Sequence, residues 1–155
     1  MTRTVSSVFF DASALYAAAY STGGAARELL RLALRGQIRV VVSQDVLDET
    51  ERNLTRKAPE VLETYGQLLH LLTPEVVNPT REEVWAAEEY VAQKDAPIIA
   101  AAIRAQPDYL VTFDRKHLID PPEVAEQSEL RIVTPGAALR ALREQSTDEE
   151  DNGQS

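Results

Sequence analysis

Two short apolar runs, VSSVFF at residues 5–10 and YLVTF at 109–113, each stop at an aspartate, Asp11 and Asp114. Runs of this length with little polar alternation suit strands buried on both faces, and such strands belong to parallel sheets covered by helices. A third run, IRVVVS at 38–43, reads the same way. Between the runs the apolar spacing becomes helical. Ala14–Tyr20, AARELLRLALRG closed by Gly36, QDVLDETERNLTRK behind Ser43 as N-cap, and the segment from Pro59 to Leu72 all read as helices. Thr80 with Glu83 three residues on is a capping-box pattern opening the helix REEVWAAEEYVAQ, and Pro97 suits the first turn of PIIAAAIRAQ. VVNP and RIV are expected as short strands, and Pro121-Pro122 lies in an expected loop. The last helix is expected from near Pro135 to near Arg143. Strands alternating with helices imply an α/β domain, a three-layer α/β/α sandwich with a largely parallel central sheet.

In such a sheet, ligands bind beyond the carboxyl ends of the strands, where the strand order reverses. Asp11 and Asp114 both follow directly after a strand, so their carboxylates converge if those strands are neighbours. Asp95 falls in a break just before a helix N-terminus, and Glu49 lies on the helix that follows the second strand. The chain has no cysteine and two histidines, so this donor set suits hard cations such as Mg²⁺ or Mn²⁺ rather than Zn²⁺. Four carboxylates at one site repel one another unless a cation is present. A bound Mg²⁺ activates water and stabilises in-line displacement at a phosphodiester, so hydrolysis of that bond is the chemistry implied.

Simpler roles compete at each position. Asp11 and Asp95 are both placed to cap helices, and Glu49 shares a solvated turn with Asp48 and Glu51. A phosphoryl-acceptor role for Asp11 is disfavoured, because Ser13 stands where aspartyl-phosphate hydrolases carry a second aspartate. His117 lies close to Asp114 but has no partner histidine. Trp85 reads as a core or subunit-contact residue, not as a base-stacking platform.

The net charge of −9, from 25 acidic and 16 basic residues, argues against a protein devoted to non-specific nucleic-acid binding. Asp148, Glu149, Glu150 and Asp151 contribute four of those charges from the C-terminal tail. Two basic clusters stand out. Arg115, Lys116 and His117 follow Asp114 and are placed to meet a phosphate, while Arg27, Arg31 and Arg35 form a stripe at helical spacing that reads first as a solvated helix face. The absence of cysteine fits a reducing cytoplasm, and no apolar run reaches the ~18 residues of a membrane span.

Taken in order, FFDASAL, SQDVLDE, KDAPIIAAAIRA and DYLVTFDRKHL resemble the PIN-domain ribonucleases over roughly Val5 to Val133. That resemblance implies an α/β/α fold and metal-site roles for Asp11, Glu49, Asp95 and Asp114. It also implies that Ser13 and Thr112 support those acids without holding the metal. The activity implied is endoribonuclease cleavage of RNA. Many members of the family are toxins of toxin–antitoxin pairs, so a cognate antitoxin and a homo-oligomer are expected partners. A PIN-like binding module without turnover stays open as the alternative. Residues 1–145 are expected to form the PIN-like domain and residues 146–155 an acidic, disordered tail.

Overall fold

Strands β1 (Ser6–Phe10), β2 (Ile38–Val42), β3 (Glu75–Val76), β4 (Tyr109–Val111) and β5 (Ile132–Val133) pair in parallel to form one sheet, ordered 3-2-1-4-5. The computed structural model that shows this describes residues 5–152, with side chains to residue 148. The three apolar runs hold the three central strands, but β4 stops at Val111, where its pairing with β1 and β5 ends, so Asp114 lies three residues past the strand and not directly after it. Phe9, Phe10, Val41, Val42 and Leu110 are all at most 2% exposed, as strands covered on both faces require.

Parallel crossovers are right-handed, and that rule sorts the helices into two layers. The steps from β1 to β2 to β3 carry α1 (Ala12–Tyr20), α2 (Ala25–Leu34), α3 (Gln44–Lys57) and α4 (Leu62–Leu72). The return from β3 to β4 travels the other way across the sheet, so α5 (Arg81–Ala87) and α6 (Ala96–Ala105) cover the opposite face. After β4 the chain makes a π-helical turn (Arg115–Ile119) and α7 (Pro122–Ser128). The last helix, α8 (Pro135–Asn152), packs on α2 and β4. Leu29 and Leu30 of α2, Leu54 of α3 and Ile99 of α6 fill the space against the sheet. Each such side chain contributes about 1.5–3 kcal/mol of apolar burial.

Ser43 caps α3, its hydroxyl accepting the Val46 N–H at 3.2 Å, and Thr80 with Glu83 forms the expected capping box on α5. Other expectations fail in informative ways. The helix opened by that box stops at Ala87 instead of running to Gln93, and the bonds beyond it tighten to Glu89 N–H on Ala86 and Tyr90 N–H on Ala87. This early break turns the chain back and brings Asp95 to the start of α6. Short strand β3, Glu75–Val76, begins one residue before the VVNP segment and shares Val76 with it, because its register is set by pairing with Val41 and Val42. The segment after Pro121 is helical, with Pro122 at the first position where its missing N–H costs nothing. Trp85 is 57% exposed, so it is no core residue.

Helix α8 passes Arg143 and continues to Asn152, so Ser146 does not mark the end of regular structure. No glycine or proline interrupts the sequence between Gly136 and Gly153, and the polar residues there are compatible with an exposed helix. The rest of the expected tail, residues 153–155, lies outside the described residues.

Candidate active site

β1 and β4 are neighbours with Phe10 opposite Val111, so the next residues along, Asp11 and Thr112, face one another at the carboxyl edge of the sheet. The Asp11 N–H donates to the Val111 carbonyl at 3.2 Å, which holds residue 11 to β4 while the chain turns into α1. Its carboxylate is both a helix cap and the centre of a cluster. Oδ1 accepts the Ala14 N–H at 2.9 Å and the Ser13 hydroxyl at 2.7 Å, and Oδ2 accepts the Thr112 hydroxyl. Three donors occupy three of about four lone-pair positions, so one stays open to a further donor or a cation. Asp11 is only 5% exposed, and this burial pushes its carboxyl above the usual carboxylate range. Bonds from Thr112, Ala14 and Ser13 oppose that rise, and the charge of Glu49 adds to it.

Thr112 and Ser13 tie the two strand ends together. The fully buried Thr112 hydroxyl donates to Asp11 while its oxygen accepts the Asp114 N–H at 3.0 Å. Ser13 donates to Asp11 and accepts the Phe113 N–H at 3.1 Å. Each hydroxyl therefore links an acid to the backbone of the other strand end, as expected of groups that orient acids at a distance from the reacting atoms.

Asp114 caps the π-helical turn, accepting the His117 N–H at 3.0 Å. The His117 ring turns the same way, with Nδ1 3.2 Å from both carboxylate oxygens. The sequence placed His117 beside Asp114 as a group to meet a phosphate; its ring instead faces the Asp114 carboxylate, a pairing signalled by the aspartate three residues before it, at N-cap spacing.

Asp95 occupies the N-cap position of α6, yet its side chain makes no capping bond. The capping role therefore does not explain this residue. Its Oδ2 is buried and has no hydrogen-bond partner among the described residues. Burial raises its pKa above the usual carboxylate range; Lys94 opposes the shift, the Asp114 charge adds to it, and His117 opposes it. Glu49 is exposed on α3 and acts on Asp11 through its charge.

The four acids thus border one sheet edge as two pairs, Asp11 with Glu49 and Asp95 with Asp114, joined through Thr112. They do not close into a cage: among the described residues, no three acidic, histidine or cysteine side chains are gathered tightly enough to hold a metal ion. Of the four, Asp11 and Asp114 are engaged by nearby N–H and O–H donors, whereas Asp95 is not. The donor set nevertheless fits a hard divalent cation. All four groups are oxygen donors, one buried oxygen is orphaned, and two carboxyls are pushed up by burial and by like charge, conditions that a cation relieves. Mg²⁺ in particular keeps several waters and needs only one or two direct carboxylates.

Arg115 and Lys116 are exposed beside Asp114. The second basic cluster is largely engaged elsewhere. Arg27 donates to the Ala18 and Ala19 carbonyls at the end of α1, and Arg31 binds Glu28 and the Thr22 carbonyl. That stripe ties α2 to α1 and is not a free phosphate-binding face.

A 3-2-1-4-5 parallel sheet with acids at the switch between β1 and β4 defines an α/β domain built around an acidic edge. The chain belongs to the PIN-domain family: the family model for the PIN domain matches residues 7–116, a span that holds all four acids, Ser13, Thr112, Arg115 and Lys116. It is therefore a module of a nuclease family whose members generally use divalent metals. The fold is similar to the crystal structure of PAE2754 from Pyrobaculum aerophilum, with a TM-score of 0.59 and 22% identity, covering 90% of this chain and 98% of that one. No curated protein matches the sequence. Among the described residues, no helix is long and apolar enough to cross a membrane.

Proposed function

We propose that this chain is a divalent-metal-dependent endoribonuclease, with Mg²⁺ or Mn²⁺ held by Asp11, Glu49, Asp95 and Asp114. The observation that carries this reading is the buried, unpartnered Oδ2 of Asp95 in the field of Asp114. A buried polar oxygen left without a donor costs about 1–3 kcal/mol, and a cation is the partner its surroundings favour. When bound, the metal would supply Lewis-acid stabilisation of the phosphodiester and a more acidic water. The residues around it do the positioning. Thr112 and Ser13 fix the Asp11 carboxylate, and His117 fixes Asp114 through its N–H and ring. Arg115 and Lys116 stand where substrate phosphates would approach, and they offset an otherwise repulsive edge.

The alternative is a PIN-like binding module without turnover, favoured by the absence of a closed ligand cage among the described residues. One experiment separates the two. Labelled single-stranded RNA is incubated with the protein in Mn²⁺ or EDTA, beside Asp11→Asn and Asp114→Asn variants. Cleavage that needs metal and disappears in both variants is the expected result. RNA binding without cleavage supports the binding module, and equal cleavage by the variants rejects the site.

The family also supports a role as the toxin of a toxin–antitoxin pair acting on cytoplasmic RNA. In that role an antitoxin segment would insert an arginine or lysine among the acids and compete with metal. Co-purification with a small neighbour-encoded protein that suppresses cleavage is expected, and failure of any such protein to suppress it counts against the toxin role. Self-association into a homo-oligomer is part of the same proposal, with exposed Trp85 as an apolar contact, and light scattering tests it.

A further inference from the structure

We infer that Phe113 is a stacking platform for an unpaired base of single-stranded RNA, held beside the acidic edge; the inference rests on the nuclease reading above. Phe113 stands between the two site residues Thr112 and Asp114, yet its side chain is 51% exposed. Its backbone is fixed on both sides. The N–H donates to Ser13 Oγ at 3.1 Å, and the carbonyl accepts the Arg115 N–H at 3.1 Å. Since Ser13 also donates to Asp11, the ring is carried by the same bonds that place the acids. A large apolar ring exposed on so constrained a segment is not required by the fold. Phe10 and Val111, the paired residues at the ends of β1 and β4, are fully buried, whereas Phe113 just past them leaves half its surface in solvent.

The surroundings say which ligand suits it. Next to Phe113 in the chain lie Asp114 and the exposed cations Arg115 and Lys116, and Ser13 beside it is also exposed. The other large exposed apolar side chains lie on helices or on the edge strand β3, none of them adjacent in sequence to a site acid. One aromatic face among cations and metal-binding carboxylates complements a nucleotide, which offers a π-face and a phosphate together. An apolar protein surface would meet mostly charge here. Paired bases are already stacked within their helix, so the face that Phe113 can accept belongs to a single strand or a loop.

The test uses the full chain as wild type and as Phe113→Ala, Phe113→Leu and Phe113→Trp. Binding of a short single-stranded RNA carrying 2-aminopurine is followed in EDTA, where cleavage is off, by quenching of the base on stacking. Cleavage is followed separately in Mn²⁺, and Mn²⁺ affinity by titration. Phe113→Ala is expected to weaken RNA binding roughly tenfold and abolish the quench. Phe113→Trp should keep both, and Mn²⁺ affinity should stay the same in all variants. Phe113→Leu keeps an apolar side chain but no ring, and it should behave like Phe113→Ala. Wild-type binding by Phe113→Ala or Phe113→Leu overturns the inference even if the enzyme cleaves RNA. A change in the chain's mass in solution, with RNA binding intact, overturns it in favour of a protein contact. A ring-dependent quench without any cleavage keeps the platform and rejects the nuclease. No RNA binding by the wild type rejects both.

Discussion

Both ends of β4 pair an aspartate with a hydroxyl across to β1, 101 positions apart in the chain, and use the pair differently. Before the strand, Asp108 Oδ2 accepts the Ser7 N–H at 2.7 Å and the Ser7 hydroxyl at 3.4 Å, while the Asp108 N–H donates to the Ser7 carbonyl at 2.9 Å. That carboxylate stands with its donors at the amino edge of the sheet and acts as a clasp. After the strand, Thr112 and Asp11 make the corresponding contact, but Glu49, Asp95 and Asp114 crowd the same edge and one buried oxygen finds no donor. A hydroxyl–carboxylate pair is thus not by itself a site. An excess of acids over donors is what sets the carboxyl edge apart, and it falls where strand order reverses.

The sharpest way to break this comparison is to neutralise one aspartate at each end. Asp114→Asn is expected to lower RNA cleavage in Mn²⁺ by at least about 100-fold, because losing a ligand costs more than losing a group that supports one. Asp108→Asn should leave kcat unchanged. Equal losses in the two variants would erase the distinction between site and clasp.

The hydroxyls give the next contrast. Thr112→Val removes the bridge between Asp11 and Asp114 and should weaken Mn²⁺ binding by about 10–100-fold in a titration, whereas Thr112→Ser keeps the bridge and most of the affinity. Ser7→Ala at the other edge should leave Mn²⁺ binding untouched. A smaller effect is expected on stability. Asp108→Ala removes the clasp and should cost about 1 kcal/mol, a Tm lower by roughly 2–4 °C.

The smallest effect concerns Asp11 and depends on pH. Its folded pKa lies above its unfolded one, so the native state binds its proton more readily than the unfolded chain does. By linkage, its contribution to stability is complete below the unfolded pKa and is lost as pH rises through the raised folded value. Above that raised value, and without metal, the ionised group therefore opposes folding. Asp11→Asn keeps an oxygen for the Ala14 and Ser13 donors and is expected to melt a few degrees higher than wild type in EDTA. Mn²⁺ should narrow that gap by stabilising the wild type. A variant that melts lower than wild type in EDTA would show that the donors around Asp11, and not its burial, dominate.

Much of the carboxyl edge was legible in the chain. Apolar runs ending at Asp11 and Asp114 located β1 and β4, although β4 stops three residues short of Asp114, and the Thr80–Glu83 box and the Ser43 cap fixed helix starts. What local pattern missed were helix ends and departures from regular bonding. Nothing in REEVWAAEEYVAQ marks a stop at Ala87, because the break is set by the path the chain must take to α6. The π-helical turn after Asp114 and the ring contact from His117 are likewise invisible to periodicity. For Trp85 the sequence left core and subunit contact open, and its exposure, which depends on what packs over α5, removes the first. The arginine stripe on α2 looked available until its partners on α1 came into view.

By itself the sequence determined that short buried strands alternate with helices, that two of the apolar runs lead to an aspartate, and that the available ligands are oxygens. These follow from side-chain size, polarity and spacing, which are local. Only the tertiary structure decided that β1 and β4 are neighbours, so that Asp11 and Asp114 share an edge and Thr112 joins them. It alone showed Asp95 leaving its helix uncapped with a buried oxygen unpartnered, and Glu49 reaching the site through charge rather than contact. Those outcomes depend on burial and on the sum of charges from segments far apart in the chain, and neither quantity exists until the sheet has formed.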